Sequence, residues 1–355
     1  MPADSLHDYL SQQGAQFGDV SGEQVAQNYG DTNAEYRALT EVVALVDLSF
    51  RDCLAVLGDD RVKFINGQVT NEVAGLKVGE GCYAALVNAK AKMQADLYVY
   101  RLDDELILDF EPGLLDAVTD RLESHIVADQ VELVDASPHF GLLSLQGPKT
   151  ADTLKVLGLA LPGEPFAHSK TTFDDLGEVY VMNNGRYGTT GCDLYISTGH
   201  LGEAAERLAK AIEGQGGRLV GWQATEIARV EAGIPRFGID MDGNTLPPEA
   251  GLDTRAISYT KGCYIGQEII ARIRTYGRVN RTLAGYRLDA DLAPGTQLTD
   301  DSAKTVGTLT SVIDSPRFGP IALGLAKRGS ETLGQVLTAR EPAQGQATVA
   351  EIPFR

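Results

Sequence analysis

The residues of this 355-residue chain best placed to do chemistry lie in Lys261-Gly262-Cys263-Tyr264-Ile265-Gly266-Gln267-Glu268, which runs on into Ile269-Ile270-Ala271-Arg272. The stretch reads as a glycine-punctuated turn entering a helix, with Ile265, Ile269 and Ile273 on one face at four-residue spacing. Cys263 is then expected just before or within the first turn. Unpaired backbone N–H groups and the positive end of the helix dipole favour a thiolate there, and Lys261 adds a cation. Two readings stand at this point: a reactive thiol or soft-metal ligand, or a small half-buried residue at a helix start.

Composition bounds the alternatives. The chain is 43% hydrophobic, carries a net charge of −18 and has a pI near 4.7. It is long enough for two or three domains with a large core. So acidic a chain is not expected to bind nucleic acid directly, since that requires a basic surface. A local basic pocket for an acidic small molecule remains open around Lys261, Arg272, Arg274, Arg278 and Arg281, the densest cluster of cations. The four cysteines (Cys53, Cys82, Cys192, Cys263) are widely spaced, with no C-x-x-C pair and no zinc-like Cys/His cluster, so no metal site is expected. Few cysteines, no signal-like N-terminus and no apolar run of membrane-span length lead to the expectation of a cytoplasmic protein with no membrane partner.

The elements that must position these residues alternate between helical and strand periodicity. Helices are expected at Leu6–Gln13, Asn33–Leu45 (stripe Tyr36, Leu39, Val43, Val46), around Val62–Val69, and at Gly113–His125, Lys149–Leu157, Leu201–Gly214 and Gly221–Ala232. Strands are expected at Cys53–Leu57, Gly81–Asn88, Met93–Arg101, Leu106–Phe110, Val131–Val134, Phe140–Gln146, Phe166–Phe173, Glu178–Asn183 and Cys192–Ile196. Neither G-x-G-x-x-G after a strand nor G-x-x-x-x-G-K-[ST] occurs. The mixture is α+β rather than a doubly wound sheet. From Asn280 onward, short strands between Gly, Pro and Asp turns predict a small β-barrel or sandwich, with a boundary near 277–282. Asn66-Gly67-Gln68-Val69-Thr70-Asn71 is dense in small polar groups: either a helix C-cap and polar loop, or donors facing a ligand.

Several stretches together resemble the glycine cleavage T-protein (aminomethyltransferase) superfamily: Tyr29-Gly30-Asp31, Val46-Asp47-Leu48-Ser49, Phe64–Asn71, Gln94-Ala95-Asp96-Leu97, and Val230-Glu231-Ala232-Gly233-Ile234-Pro235 through Leu252. Within it, Lys-Gly-Cys-Tyr-x-Gly-Gln-Glu at 261–268 resembles the signature of the YgfZ branch, folate-binding proteins that support assembly or repair of iron–sulfur enzymes. The resemblance implies a three-lobed ring. Residues 1–279 would form a folate-binding α+β region of two intertwined lobes (roughly 1–50 with 140–279, and 51–139), and 280–355 the C-terminal β-barrel. It implies tetrahydrofolate as cofactor and iron–sulfur client proteins as partners.

The resemblance also assigns residues. Asp96 matches the carboxylate beside the reactive nitrogens of folate, where an acid could orient the cofactor or move a proton; the other reading is a strand-start acid paired with Lys90 or Lys92. The second aspartate of T-proteins is missing from Met93-Gln94-Ala95-Asp96-Leu97. Glu231 offers two acceptors to a pterin's amino group and ring N–H, with Ala232 and Gly233 permitting close approach. Tyr187 matches a tyrosine of the folate loop, whose glutamate position falls on Thr189, or on Cys192 if the alignment is shifted. Asp193 is expected to pair structurally. Arg272 suits a folate glutamate tail or a partner's acid. Asn66, Thr70, Lys261 and Gln267 complete the expected folate-binding set, with Cys263 and Asp96 as the catalytic candidates. The resemblance thus implies a folate-binding accessory protein for iron–sulfur enzymes working through Cys263. A tetrahydrofolate-dependent aminomethyltransferase or related one-carbon transferase is the alternative.

Overall fold

The computed structural model describes residues 5–277, 279–340 and 343–355. In chain order the elements are α1 (Leu6–Gln12), β1 (Gln16–Val20), β2 (Glu23–Asn28), α2 (Thr32–Glu41), β3 (Ala44–Asp47), β4 (Asp52–Leu57), α3 (Arg61–Gln68), β5 (Gly81–Val87), β6 (Met93–Arg101) and β7 (Leu106–Phe110). Then come α4 (Leu115–Glu123), β8 (Glu132–Asp135), β9 (Phe140–Gln146), α5 (Thr150–Val156), β10 (His168–Thr172), β11 (Glu178–Asn183), β12 (Gly191–Ser197), α6 (Leu201–Glu213), β13 (Arg218–Val220) and α7 (Trp222–Glu231). After a long irregular stretch follow α8 (Gln267–Tyr276), β14 (Arg281–Leu288), β15 (Gln297–Thr299), β16 (Thr305–Ser315), β17 (Gly319–Lys327), β18 (Val336–Arg340) and β19 (Gly345–Ala350). Among the described residues, no helix is long and apolar enough to cross a membrane.

The chain divides into two compact units. The first comprises residues 1–66, 73–83 and 97–228; the second comprises 67–72, 84–96 and 229–355. In the first unit a six-stranded sheet runs β10-β11-β12-β9-β3-β13, antiparallel throughout except for the parallel β3–β13 pair. Helix α6 turns Leu201, Ala204, Ala205, Leu208 and Ile212 inward at helical spacing, against Leu143, Leu145, Leu194 and Ile196 of that sheet. A five-stranded sheet runs β5-β6-β7-β4-β8. The second unit holds a closed six-stranded barrel, β14-β17-β16-β15-β18-β19. Closure removes the open edges that a small sheet would otherwise expose. Its core combines alanines (Ala284, Ala322, Ala326, Ala339, Ala347) with larger side chains such as Leu298, Leu309 and Leu337 and with Tyr286, which is wholly buried.

The mixed α+β architecture, with a barrel starting at Arg281, matches the pattern read from sequence. Two local expectations are corrected. The helix expected over 33–45 stops at Glu41, and Ala44–Asp47 is instead a strand held between β9 and β13. The apolar residues Val43 and Val46 suit either period, and pairing on both sides decides it. Gly14-Ala15-Gln16-Phe17-Gly18 reads in the sequence as a turn, yet from Gln16 the chain forms a hairpin, β1–β2, whose weakly apolar strands show no clear alternation.

One core position gives a pH-dependent prediction. His168 is buried on β10, with its ring edge-on to Tyr100 at 5.8 Å. Burial pushes its pKa below the usual histidine value, against the opposing pull of the Arg101 and Phe166 backbone. Protons are then bound preferentially by the unfolded chain, so the stabilisation is complete above the unfolded pKa of about 6.5 and is lost as pH falls through the lower folded value. Melting temperature should drop more steeply between pH 7 and pH 5 for the wild type than for His168→Gln.

Candidate functional site

The motif 261–268 lies entirely in the second unit, and its residues divide into those that build the loop and those that it displays. The Lys261 ammonium is buried and donates to the backbone carbonyls of Val69 (3.0 Å) and Asn71 (2.6 Å), with the Tyr264 ring 5.1 Å away. Tyr264 packs in one cluster with Ala91, Ile257 and Ile270. The Ile265 N–H donates to Gly67 O (3.1 Å). Gly266 sits at φ +81°, and a Cβ there would lie 2.8 Å from Asn88 O and 3.0 Å from Ala91 Cα. Gln267 Nε2 returns to Gly262 O (3.4 Å). The loop is thus tied to 67–71 on one side and 88–91 on the other. Gly262 and Cys263 are left exposed, and Cys263 is the one exposed cysteine of the four.

This narrows the placement of the thiol. Helix α8 begins at Gln267 behind the left-handed Gly266, so Cys263 lies in irregular chain four residues ahead of the helix, before its first turn and not within it. Ile270 is the buried isoleucine of the helix, while Ile265 belongs to the turn. Lys261 is the screw that fastens the loop, not a cation left for the thiol.

The polar run 66–71 is likewise put to structural use. Asn66 Oδ1 accepts from the N–H groups of Val73 (2.9 Å) and Ala74 (3.1 Å). Thr70 is wholly buried: its hydroxyl donates to Ala256 O (2.6 Å) and accepts from Ala85 N–H (2.9 Å). Asn71 Oδ1 accepts from Glu72 N–H. The hydroxyl of Thr70 therefore has its donor spent inside the protein.

Asp96 stands on β6, half-buried, on the same face as Gln94 and Tyr98 and alternating with the buried Ala95 and Leu97. The expected Lys92 partner goes elsewhere: its ammonium donates to Asn244 O at 2.6 Å and lies 4.0 Å from Glu249. Glu231 is the last residue of α7 and is buried. Its Oε1 accepts from the Ser315 hydroxyl, and its carbonyl accepts from Phe354 N–H (2.8 Å). The helix end is also fixed two residues earlier by Arg229, which pairs with Asp240 (2.7 Å) and donates to Ser311 (2.7 Å). The room expected beside Glu231 is filled by the protein: a Cβ on Gly233 would meet Ile352 at 2.7 Å. Arg272 is exposed on α8, and Arg278 lies outside the described residues.

In the first unit the loop carrying Tyr187 is anchored by a buried charge network in which Arg51, Asp109 and Arg186 join the expected Asp193. Arg186 is buried, lies 4.7 Å over the Tyr98 ring, and pairs with both Asp109 and Asp193, the latter at 2.7 Å. Asp109 also receives Arg51 (2.6 Å), which reaches Glu111 (2.5 Å). Asp193, expected to pair structurally, does so: it accepts from Ser144 (2.7 Å) and Asn184 (3.0 Å) besides Arg186. Burial and the two neighbouring carboxylates act on Arg186 in opposite directions, and the carboxylates win, holding its pKa well above the ordinary value. Tyr187 is buried and Thr189 is half-exposed. Cys192 lies wholly inside β12, where burial pushes its thiol pKa up and leaves it inert. One signal for this cluster was available: Asp109 is a lone acid inside the apolar run Leu106–Phe110, and such a residue needs a buried partner.

The chain belongs to the family of the GCVT N-terminal domain, which matches residues 6–261. Among its relatives is "Putative transferase At1g60990, chloroplastic" of Arabidopsis thaliana, 30% identical over 98% of this chain and 79% of that protein. An aminomethyltransferase of Chloroherpeton thalassium is 28% identical over 98% of this chain and 97% of its own. In fold, the chain resembles the crystal structure of glycine cleavage system aminomethyltransferase T from Bartonella henselae, with a TM-score of 0.87 at 24% identity, covering 99% of this chain and 97% of that one.

Proposed function

We propose that the protein binds tetrahydrofolate or a related folate and serves one-carbon transfer of the aminomethyltransferase kind. The observation that carries this reading is the end-to-end relation to proteins named aminomethyltransferase, extending over 98% of this chain and 97% of the relative. The donor set is compatible with a pterin: carboxylates on Asp96 and Glu231 suit its N–H groups, although Ser315 shares the Glu231 fork. Gln267, in the same unit, remains a candidate contact, whereas the Thr70 hydroxyl and Lys261 ammonium act on the protein's own backbone. When bound, the folate supplies the nitrogens that carry the one-carbon unit. Asp96 would orient it and exchange a proton with it. Purified protein with tetrahydrofolate and an S-aminomethyl thioether donor, whose carbon is already at the formaldehyde level, should form methylenetetrahydrofolate with release of ammonia and the free thiol, and Asp96→Asn should cut the rate at least a hundredfold, on the order expected for loss of a general acid–base. No product from the wild type would overturn this reading.

A second reading, a folate-binding accessory protein for iron–sulfur enzymes of the YgfZ kind, is favoured by Cys263. The motif spends Lys261, Tyr264 and Gly266 on a fixed loop and exposes the thiol. A single thiolate does not hold a cluster, but it can form a mixed disulfide or supply one ligand. Cys263→Ser should keep the melting temperature and the calorimetric heat of folate binding while abolishing rescue of iron–sulfur enzyme activity in cells lacking their YgfZ-type protein. Full rescue by the serine variant would remove the thiol from the mechanism.

A further inference from the structure

The C-terminal half of α8 borders a hollow that neither reading uses. It has a volume of about 660 Å³, and its walls include Pro248, Ile257, Tyr259, Ile273 and Arg274 together with one acid, Asp253. Over ten residues the helix buries only Ile270. Ile273 is half-buried in the hollow, and Arg272 and Arg274 stand on either side of it, about 100° around the helix in each direction. Neither arginine has a carboxylate partner among the described residues. The Arg274 guanidinium lies 4.0 Å over the Tyr259 ring, and the Tyr259 hydroxyl donates to Asp253 (3.1 Å), so the stack is fixed from beneath. Stacking leaves the guanidinium edge able to take a carboxylate in two parallel hydrogen bonds. Tyr276, 70% exposed, continues the apolar surface past the hollow.

We propose that this face of α8 docks an acidic, extended segment of a partner polypeptide, with one apolar or aromatic side chain seated in the hollow and flanking carboxylates on Arg272 and Arg274. Charge singles out the occupant. The protein as a whole carries −18, so an acidic partner is repelled by most of its surface and attracted where two arginines without carboxylate partners flank a hollow whose one acid, Asp253, accepts from the Tyr259 hydroxyl. The apolar surface extends beyond the hollow to Tyr276, which fits a chain laid along the helix rather than a compact small molecule. The proposal rests on neither functional reading.

A fluorescein-labelled synthetic peptide with a central phenylalanine and glutamates on both sides tests it by fluorescence anisotropy. Saturable binding is expected, weakened at least tenfold by Arg272→Glu with Arg274→Glu. The same loss is expected from Thr254→Trp, which fills the hollow from an exposed position, and from phenylalanine to alanine in the peptide. Circular dichroism of each variant should match the wild type, and folate calorimetry run in parallel should be unchanged by Thr254→Trp. No saturable binding, equal binding by Thr254→Trp, or equal binding by the peptide without phenylalanine overturns the proposal. Complete displacement of the peptide by phosphatidylserine vesicles at equal charge assigns the arginines to a lipid surface instead and also overturns it.

Discussion

Gly266→Ala should destabilise the second unit by about 3 kcal/mol, the sum expected for a non-glycine residue in the left-handed region and for overpacking against fixed atoms. Both causes are present at this position. The backbone is at φ +81°, and the added Cβ would lie 2.8 Å from Asn88 O and 3.0 Å from Ala91 Cα. The atoms in the way are backbone, not the end of a flexible side chain, so relief requires the 88–91 turn or the start of α8 to move. Gly262, in the same motif, is the control. A Cβ there meets nothing within 4 Å, so Gly262→Ala should change stability by no more than about 0.5 kcal/mol. Urea unfolding of the two variants separates the predictions cleanly. A Gly266→Ala protein as stable as Gly262→Ala would mean that the loop is not held as described. Alkylation of Cys263 by iodoacetamide should also change rate in the Gly266 variant, because the loop that displays the thiol would have lost its anchor.

Arg186→Met should cost about 3–5 kcal/mol, the range for removing one partner of a buried ion pair. Methionine replaces the stem but leaves Asp193, wholly buried, with only Ser144 and Asn184 as donors, and leaves Asp109 with Arg51 alone. The uncompensated carboxylate, not the lost attraction, dominates the cost. The double variant Arg186→Met with Asp193→Asn should therefore recover a substantial part of the loss, since it removes the stranded charge. Additive losses in the double variant would contradict this account. The single variant should also raise the proteolytic sensitivity of the 184–190 loop. Its Arg186 N–H donates to Gln146 Oε1 (3.1 Å), and Gln146 is in turn held to Ser144 (2.8 Å) in the same network.

Local patterns were enough for most of the elements, β1, β2 and β3 excepted, and for the family. Periodicity is a local property, so Leu106–Phe110, Phe140–Gln146 and Glu178–Asn183 have the limits expected, and the change of character near 280 marks the barrel. The 261–268 motif was legible as special because its residue types are improbable together. What the motif is for in structural terms was not legible. That Lys261 ties down a loop, that Gly266 must be glycine and that Gly233 makes room for Ile352 depend on atoms of segments 69–71, 88–91 and 352. Such contacts join residues far apart in the chain, and no local pattern encodes them. The same holds for the charges. Arg51, Asp109, Arg186 and Asp193 are unremarkable along the chain and become one buried network only when β4, β7 and β12 are brought together. Burial converts an ordinary arginine or threonine into a fixed structural part by removing the competing water, and only the tertiary structure decides what is buried. It left Cys263 in solvent, so the motif's one soft nucleophile is displayed while its neighbours are spent on holding it.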